Sequence, residues 1–263
     1  MLTSNMKHKM YIVIFLLIFC TTIQAKSIRR FSHVKTFYKD ITEMTIELSV
    51  KHNAPPAVIL AIAGLESGYG QGYVAQITGN ILSLGVNKNE TQLPALHLPK
   101  VIKTNKIIFD AEEIAKYTEA ELSRKQRPPS LKKDYRPSSI RGSKDNLSYL
   151  LNHPESRAAA HKQNILDFLT IWLNEDYVFP VFVELRKFLD MRVEENGKDI
   201  LFDRTLNEEL ISMMSGKPDS FNLSEDWAGK VKWIMNNAML LELTKNLYYD
   251  KLNFEEAWEN YKK

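Results

Sequence analysis

Several features are scarce in this sequence, and each scarcity excludes a class of protein. Cys20 is the only cysteine, so no disulfide can form within the chain and the fold must rest on packing. The six histidines never occur with H-x-x-x-H or H-E-x-x-H spacing, and no glycine-rich loop carries the lysine of a phosphate-binding loop. The net charge is only +3, which predicts no general attraction to nucleic acid. We therefore expect no metal, no cofactor and no nucleic-acid partner.

The first 25 residues differ in composition from the rest of the chain. Lys7 and Lys9 precede an apolar run at residues 11–20, and a polar stretch ends at Ala25. This order is typical of a secretory signal peptide. The run is shorter than the roughly 20 apolar residues that span a bilayer. We expect export to the periplasm or out of the cell; the alternative is an uncleaved signal that tethers the protein to the membrane.

The remaining residues predict a mainly α fold. Apolar periodicity and helix-stop signals indicate a helix at residues 35–52 and a second that starts at Pro56 and ends within residues 64–70. Further helices are predicted at 110–122, 146–152, 155–174, 179–196 and 206–214, with a last pair within 224–262. Residues 101–109 could form a short strand or hairpin, and residues 123–145, rich in proline and basic side chains, are typical of a loop. The aromatic side chains of residues 168–188 recur at helical spacing, which favours core packing over a carbohydrate platform.

Glu66 is the main candidate for chemistry. It is the only carboxylate between Ser49 and Asn89, and it ends a helix that is apolar all round. Six of the ten glycines lie between Gly64 and Gly85, which indicates sharply bent or closely approached backbone. A carboxyl group in apolar surroundings has a raised pKa, as the general acid of glycoside hydrolysis requires. The alternative is that Glu66 only caps or pairs at the helix end and points to water.

Three segments carry a family resemblance. Residues 61–70 (AIAGLESGYG) resemble the A-x-x-x-x-E-S-G-x-G signature at the end of the catalytic helix of bacterial glucosaminidases, the lysozyme-like enzymes of autolysins, flagellar muramidase domains and Bax-type proteins. Residues 79–85 (GNILSLG) are similar to the segment that follows that helix. Tyr135, Ser143 and residues 149–154 (YLLNHP) resemble a later helix of the family, so the likeness spans roughly residues 45–165.

The resemblance implies a lysozyme-like helical domain over residues 26–170, with a small irregular or hairpin lobe. Residues 171–263 would be a C-terminal helical extension of unknown role, which either completes this domain or forms a separate docking module. Segment 101–135 departs from the family because it lacks the T-x-E hairpin motif and is richer in lysine and proline.

The resemblance also implies roles for individual residues. Glu66 would be the general acid, Tyr69 and Asn80 would shape the cleft, and Tyr135 or Tyr149 would contact the sugar. From their local context alone, Asn80 could be a turn residue and each tyrosine a core aromatic.

The second catalytic group is left open between two mechanisms. An inverting glycosidase needs a second carboxylate about 6.5–9.5 Å from the acid, and the candidates are Glu90, Asp110, Glu112 and Glu113, with Glu90 first because it follows the glycine-rich turn most closely. A mechanism assisted by the N-acetyl group of the sugar would need none of them.

The leading functional hypothesis is a monomeric, exported endo-β-N-acetylglucosaminidase that cleaves β-1,4 bonds of peptidoglycan glycan strands. One alternative is a non-catalytic protein for cell-wall binding or envelope assembly. Another is a membrane-anchored scaffold that acts through its C-terminal half. The basic residues between 124 and 144 could hold an anionic wall polymer or a lipid headgroup, or form a solvated loop.

Overall fold

A computed structural model describes residues 27–86, 97–106, 108, 111–126, 132–142, 146–174, 180–216 and 220–260. The predicted signal peptide, residues 1–25, lies outside these ranges. Within them, no helix combines the length and the apolar character needed to span a bilayer.

The mainly α architecture predicted from the sequence is confirmed. The helices are α1 (Ser32–Lys51), α2 (Pro56–Ser67), α3 (Tyr73–Thr78), α4 (Ala111–Ile114), α5 (Tyr149–Asn152), α6 (Pro154–Asp167), α7 (Pro180–Asn196), α8 (Arg204–Met213), α9 (Glu225–Asn237), α10 (Leu240–Tyr248) and α11 (Phe254–Glu259). A π-helical turn, Phe168–Trp172, continues α6, and a 3₁₀ turn, Lys198–Phe202, precedes α8. The strands are β1 (His97–Val101) and β2 (Leu122–Gln126).

Helix α2 lies at the centre of the fold. Proline starts it at the first helical position, where a missing N–H is no loss, and every residue from Pro56 to Gly64 is buried. It packs against α1, α8, α9 and α10, so its whole circumference meets protein, as a helix that is apolar all round requires. It ends at Gly68, which has a left-handed φ of 56°. The end of α2 is therefore held from several sides.

The hairpin lobe is present, but its strands differ from the predicted ones. β1 and β2 are antiparallel, with Val101 opposite Leu122 and His97 opposite Gln126. A strand was predicted at residues 101–109, but β1 ends at Val101. The helix predicted at 110–122 is reduced to α4. Thr118 and Glu121 form a capping box around a 3₁₀ turn, which directs the chain into β2 within the segment predicted as loop. Strand pairing across 21 or more residues overrides the local helical pattern here.

The C-terminal helices share one hydrophobic core with the N-terminal ones. Trp227 on α9 and Trp258 on α11 belong to the same buried cluster as Phe37 on α1 and Leu60 on α2. Phe168 and Phe182 are buried in it too, as predicted for the aromatic segment. The core is therefore continuous across the predicted boundary between residues 170 and 171.

Within residues 220–260, which the structure describes, the chain forms three helices rather than the predicted pair. Met239 has a φ of 50° and separates α9 from α10. Asn253 then caps α11 through a capping box with Glu256. These two local features divide a stretch whose apolar periodicity alone does not mark the breaks.

Candidate active site

Glu66 lies in the last turn of α2, where three consecutive residues with positive φ turn the chain. These are Gly68, Tyr69 and Gly70, with φ of 56°, 56° and 77°. The hydroxyl of Ser67 donates to the carbonyl of Ala63 at 2.5 Å and accepts from the amide of Gly70 at 2.8 Å. Ser67 therefore acts as a hydrogen-bonding residue at the end of the helix.

The carboxylate of Glu66 meets a tryptophan from the other end of the chain. Nε1 of Trp227, on α9, donates to Oε1 of Glu66 at 2.8 Å. Trp227 is only 3% exposed. An indole nitrogen is a donor and never an acceptor, so Oε1 must be the accepting oxygen. When Glu66 is protonated, this bond favours the proton on Oε2, because the carbonyl-type oxygen of a carboxylic acid is the better acceptor.

The electrostatic surroundings of Glu66 suit an acid. Burial raises its pKa above the ordinary value of 4.5, while the hydrogen bond from Trp227 and the charge of Lys132 oppose part of that rise. The Lys132 ammonium also donates to the carbonyl of Ser83, which holds it beside the site. Glu66 is half-buried and accepts a hydrogen bond from Trp227, so it does not simply point to water at a helix end.

Asn80 organises the loop that follows α3. It is 2% exposed, and its Nδ2 donates to the carbonyls of Leu84 at 2.9 Å and Lys133 at 3.1 Å. Its Oδ1 accepts from the amide of Leu84 at 2.9 Å and from Nδ2 of Asn164 at 3.1 Å. Both polar atoms are thus used within the protein. This geometry favours a role in shaping the cleft wall over direct contact with a sugar.

The loop after α3 also positions Lys132, because its backbone pairs with the backbone of residues 132–133. The amide of Lys133 donates to the carbonyl of Leu84 at 3.0 Å, and Gly85 and Lys132 form an antiparallel bridge. The next turn is fixed by Asp134, whose Oδ2 lies 2.6 Å from the fully buried guanidinium of Arg136. Asp134 also accepts from the amide of Gly142 at 2.8 Å. A buried ion pair therefore fixes the segment next to Glu66.

This ion pair and a second one correct the view of residues 124–144 as one basic surface. Arg136 is committed to Asp134, and Nζ of Lys133 lies 2.7 Å from Oδ2 of Asp167, a side chain that is 9% exposed. These two charges are internal. The side chains of Arg124, Lys125 and Arg127, and Lys144 as a whole, lie outside the described part of the molecule.

Tyr135 contacts a carboxylate that the sequence analysis missed. Its hydroxyl donates to Oδ2 of Asp167 at 3.1 Å, and Gln163 donates to Oδ1 at 2.7 Å. The backbone amide of Tyr135 donates to the carbonyl of Thr78 at 2.8 Å, which joins Tyr135 to the end of α3. Asp167 is a lone carboxylate in the apolar run Ile165-Leu166-Asp167-Phe168-Leu169, a signal that could have identified it within the predicted helix 155–174.

The two other tyrosines have contacts away from Glu66. The ring of Tyr69 packs edge-on against Phe37 and Tyr38 of α1, and burial raises its pKa to about 12. The ring of Tyr149 stacks on His153, with 4.0 Å between ring centroids. Contact of either tyrosine with a sugar stays a prediction.

The candidates for a second catalytic carboxylate lie mostly beyond what the structure describes. Glu90 and Asp110 are outside the described residues, as is the side chain of Glu112. Glu113 pairs with Lys106 at 2.6 Å in the hairpin lobe. Among the described residues, no three His, Cys, Asp or Glu side chains cluster as a metal site would require.

Comparisons with known proteins yield one structural likeness. No protein-family model matches the chain, and no curated protein matches it either. Among solved structures, the chain is similar to the catalytic domain of the autolysin Auto from Listeria monocytogenes, over 92% of this chain and 97% of that one. The sequence identity is 11% and the TM-score is 0.44. These values are too low to transfer a fold family or an activity to this chain.

Proposed function

We propose that the protein is an exported, monomeric glycoside hydrolase that cleaves β-1,4 bonds in the glycan strands of peptidoglycan, as an endo-β-N-acetylglucosaminidase. The observation that carries this proposal is the carboxyl group of Glu66, which is desolvated at a helix end and bonded by Trp227. The sequence motif around Glu66 supports peptidoglycan as the substrate class, and the burial and hydrogen bond of Glu66 support its role as the acid.

In this mechanism Glu66 donates its proton to the leaving glycosidic oxygen. Because Trp227 donates to Oε1, the bond favours Oε2 as the oxygen that carries and delivers the proton. Proton transfer leaves a negative charge on Glu66. The indole N–H and the ammonium of Lys132 both stabilise that charge, which is why each lowers the pKa of the group. The raised pKa keeps the acid protonated closer to neutral pH, while the two donors limit the cost of ionisation.

The second half of the reaction needs a nucleophile at the anomeric carbon. We propose a water activated by a carboxylate, with Glu90 as the first candidate. Attack by the N-acetyl group of the substrate itself is the alternative. In that case a protein group needs only to orient the acetamido group, and no carboxylate base is required.

Incubation of the purified mature protein with purified peptidoglycan tests the proposal. Mass analysis of the released fragments reports turnover and the identity of the new reducing end, which should be N-acetylglucosamine. Glu66→Gln is nearly isosteric but cannot donate the proton, so it should lower the rate by roughly 10²–10⁴-fold. A wild-type protein that sediments with peptidoglycan and releases no fragments would instead establish a wall-binding function.

A further inference from the structure

A cavity lies on the side of the molecule formed by α1, α3 and α6. Its volume is about 340 Å³, and its walls include Thr36, Gln71, Gln76 and His161. Glu66, Trp227 and Lys132 are not among the residues that line it. The cavity therefore excludes the candidate acid and its two partners, while Tyr69, three residues after Glu66, forms part of its wall.

His161 is the most informative residue of this cavity. It is 7% exposed, and it has no hydrogen-bond partner in the part of the chain that the structure describes. Burial, with a smaller contribution from Arg157, lowers its pKa to about 4. The imidazole is thus neutral at physiological pH and presents one donor and one acceptor. With no protein partner among the described residues, its ring nitrogens are available to a ligand or water that enters the cavity.

The charges around the cavity cancel. Arg157 and Asp40 both line it, and their side chains lie 3.7 Å apart. A ligand carrying one net charge would meet the opposite charge and a like charge at similar range. The walls therefore favour a neutral ligand over an anion or a cation.

The remaining lining groups combine hydrogen-bonding side chains with apolar rings. Gln71 and Gln76 each offer an amide donor and acceptor, and Thr36 offers a hydroxyl. The rings of Phe37 and Tyr69 supply an apolar wall. A ligand with many hydroxyl or amide groups and an apolar face matches this arrangement, and the volume lies in the range of small-molecule pockets.

We propose that this cavity binds a neutral saccharide unit, with His161, Gln71 and Gln76 as its hydrogen-bonding residues. The inference stands apart from the proposed hydrolysis because it rests on another set of residues. If the protein also cleaves glycan strands, this site would hold a sugar of the same polymer away from the scissile bond.

Binding of N-acetylglucosamine to the Glu66→Gln variant tests the inference without interference from turnover. In ¹⁵N NMR spectra the imidazole signals of His161 should shift on addition of the sugar. Gln76→Ala, in a partly exposed side chain, should weaken binding about tenfold, which corresponds to one hydrogen bond lost in a desolvated site. Because His161→Leu changes a buried residue, its fold should be checked by circular dichroism. When folded, it should bind at least as weakly as Gln76→Ala.

Two controls make the experiment decisive. His153→Leu replaces an exposed histidine near α6 that does not line the cavity, and it should leave affinity unchanged. Glucosamine and glucuronic acid, which carry a positive and a negative charge, should bind more weakly than N-acetylglucosamine. Unshifted His161 signals, undiminished affinity in Gln76→Ala, or equal binding of the charged sugars would overturn the proposal. Each outcome can be read whether or not the protein hydrolyses peptidoglycan.

Discussion

Nε1 of Trp227 lies 2.8 Å from Oε1 of Glu66, and the two residues are 161 positions apart in the chain. Helix α9 therefore contributes directly to the surroundings of the candidate acid. The part of the chain for which the sequence predicted no role completes the candidate site. A truncated protein ending near residue 170 would lack this donor and much of the packing around α2.

Removal of the indole donor should change the pH dependence of catalysis. Trp227→Phe keeps an aromatic ring but loses the N–H that lowers the pKa of Glu66, so that pKa should rise. Because the acid must be protonated, the alkaline limb of the profile of kcat/KM against pH should move to higher pH. The rate at the optimum should fall about tenfold, since the developing carboxylate loses one hydrogen bond. Trp233→Phe, on the same helix but half exposed, is the matched control. Identical profiles for the two variants would contradict the role given to Trp227.

Glu66→Gln should also change the pH dependence of stability. The folded pKa of Glu66 is raised, so between about pH 4.5 and that pKa the folded state holds a proton that the unfolded state has lost. The stability contributed by the protonated group is complete below the unfolded pKa and is lost as the pH rises through the folded pKa. The Tm of Glu66→Gln minus the Tm of the wild type should therefore increase as the pH rises from about 4 to about 7. Glu47→Gln, an exposed site on α1, corrects for the loss of one negative charge. A Tm difference that stays constant across this range would argue against a desolvated carboxyl.

Asn80→Ala should destabilise the fold. The substitution leaves the carbonyl of Lys133, the amide of Leu84 and Nδ2 of Asn164 without their partner in a buried loop. We expect a loss of about 2–4 kcal/mol in the free energy of unfolding, measured by urea denaturation. Asn152→Ala, an exposed asparagine in α5, should change it by less than about 0.5 kcal/mol. A similar small change in Asn80→Ala would show that the loop does not depend on this side chain.

Four alanine variants, at Glu90, Asp110, Glu112 and Glu113, distinguish the two mechanisms. If a carboxylate activates water, one variant should lose nearly all turnover on peptidoglycan, and added azide should restore part of it. We expect that variant to be Glu90→Ala. Glu113→Ala should retain activity because that carboxylate is paired with Lys106. Full activity in all four variants would favour attack by the N-acetyl group of the substrate.

Local sequence patterns predicted most helices but failed in the hairpin lobe. The apolar helix α2 and its glycine-rich end follow from residue types within a few positions of one another, so their pattern is visible in the sequence. The pairing of β1 with β2 joins residues such as Val101 and Leu122, and no local pattern identifies such partners. The non-local pairing of β1 with β2 therefore replaces most of the helix predicted at 110–122.

The candidate site, like the fold, was predicted from the sequence only in part. The sequence by itself determined that Glu66 would lie at the end of an apolar helix, because residues 57–65 carry no polar or charged side chain. Only the tertiary structure brings Trp227 and Lys132 to that acid, where they oppose part of the rise that burial causes in its pKa. These contacts depend on how α9 and the segment after β2 pack onto α2. These contacts join groups that are distant in sequence, and the apolar periodicity of either segment does not predict them.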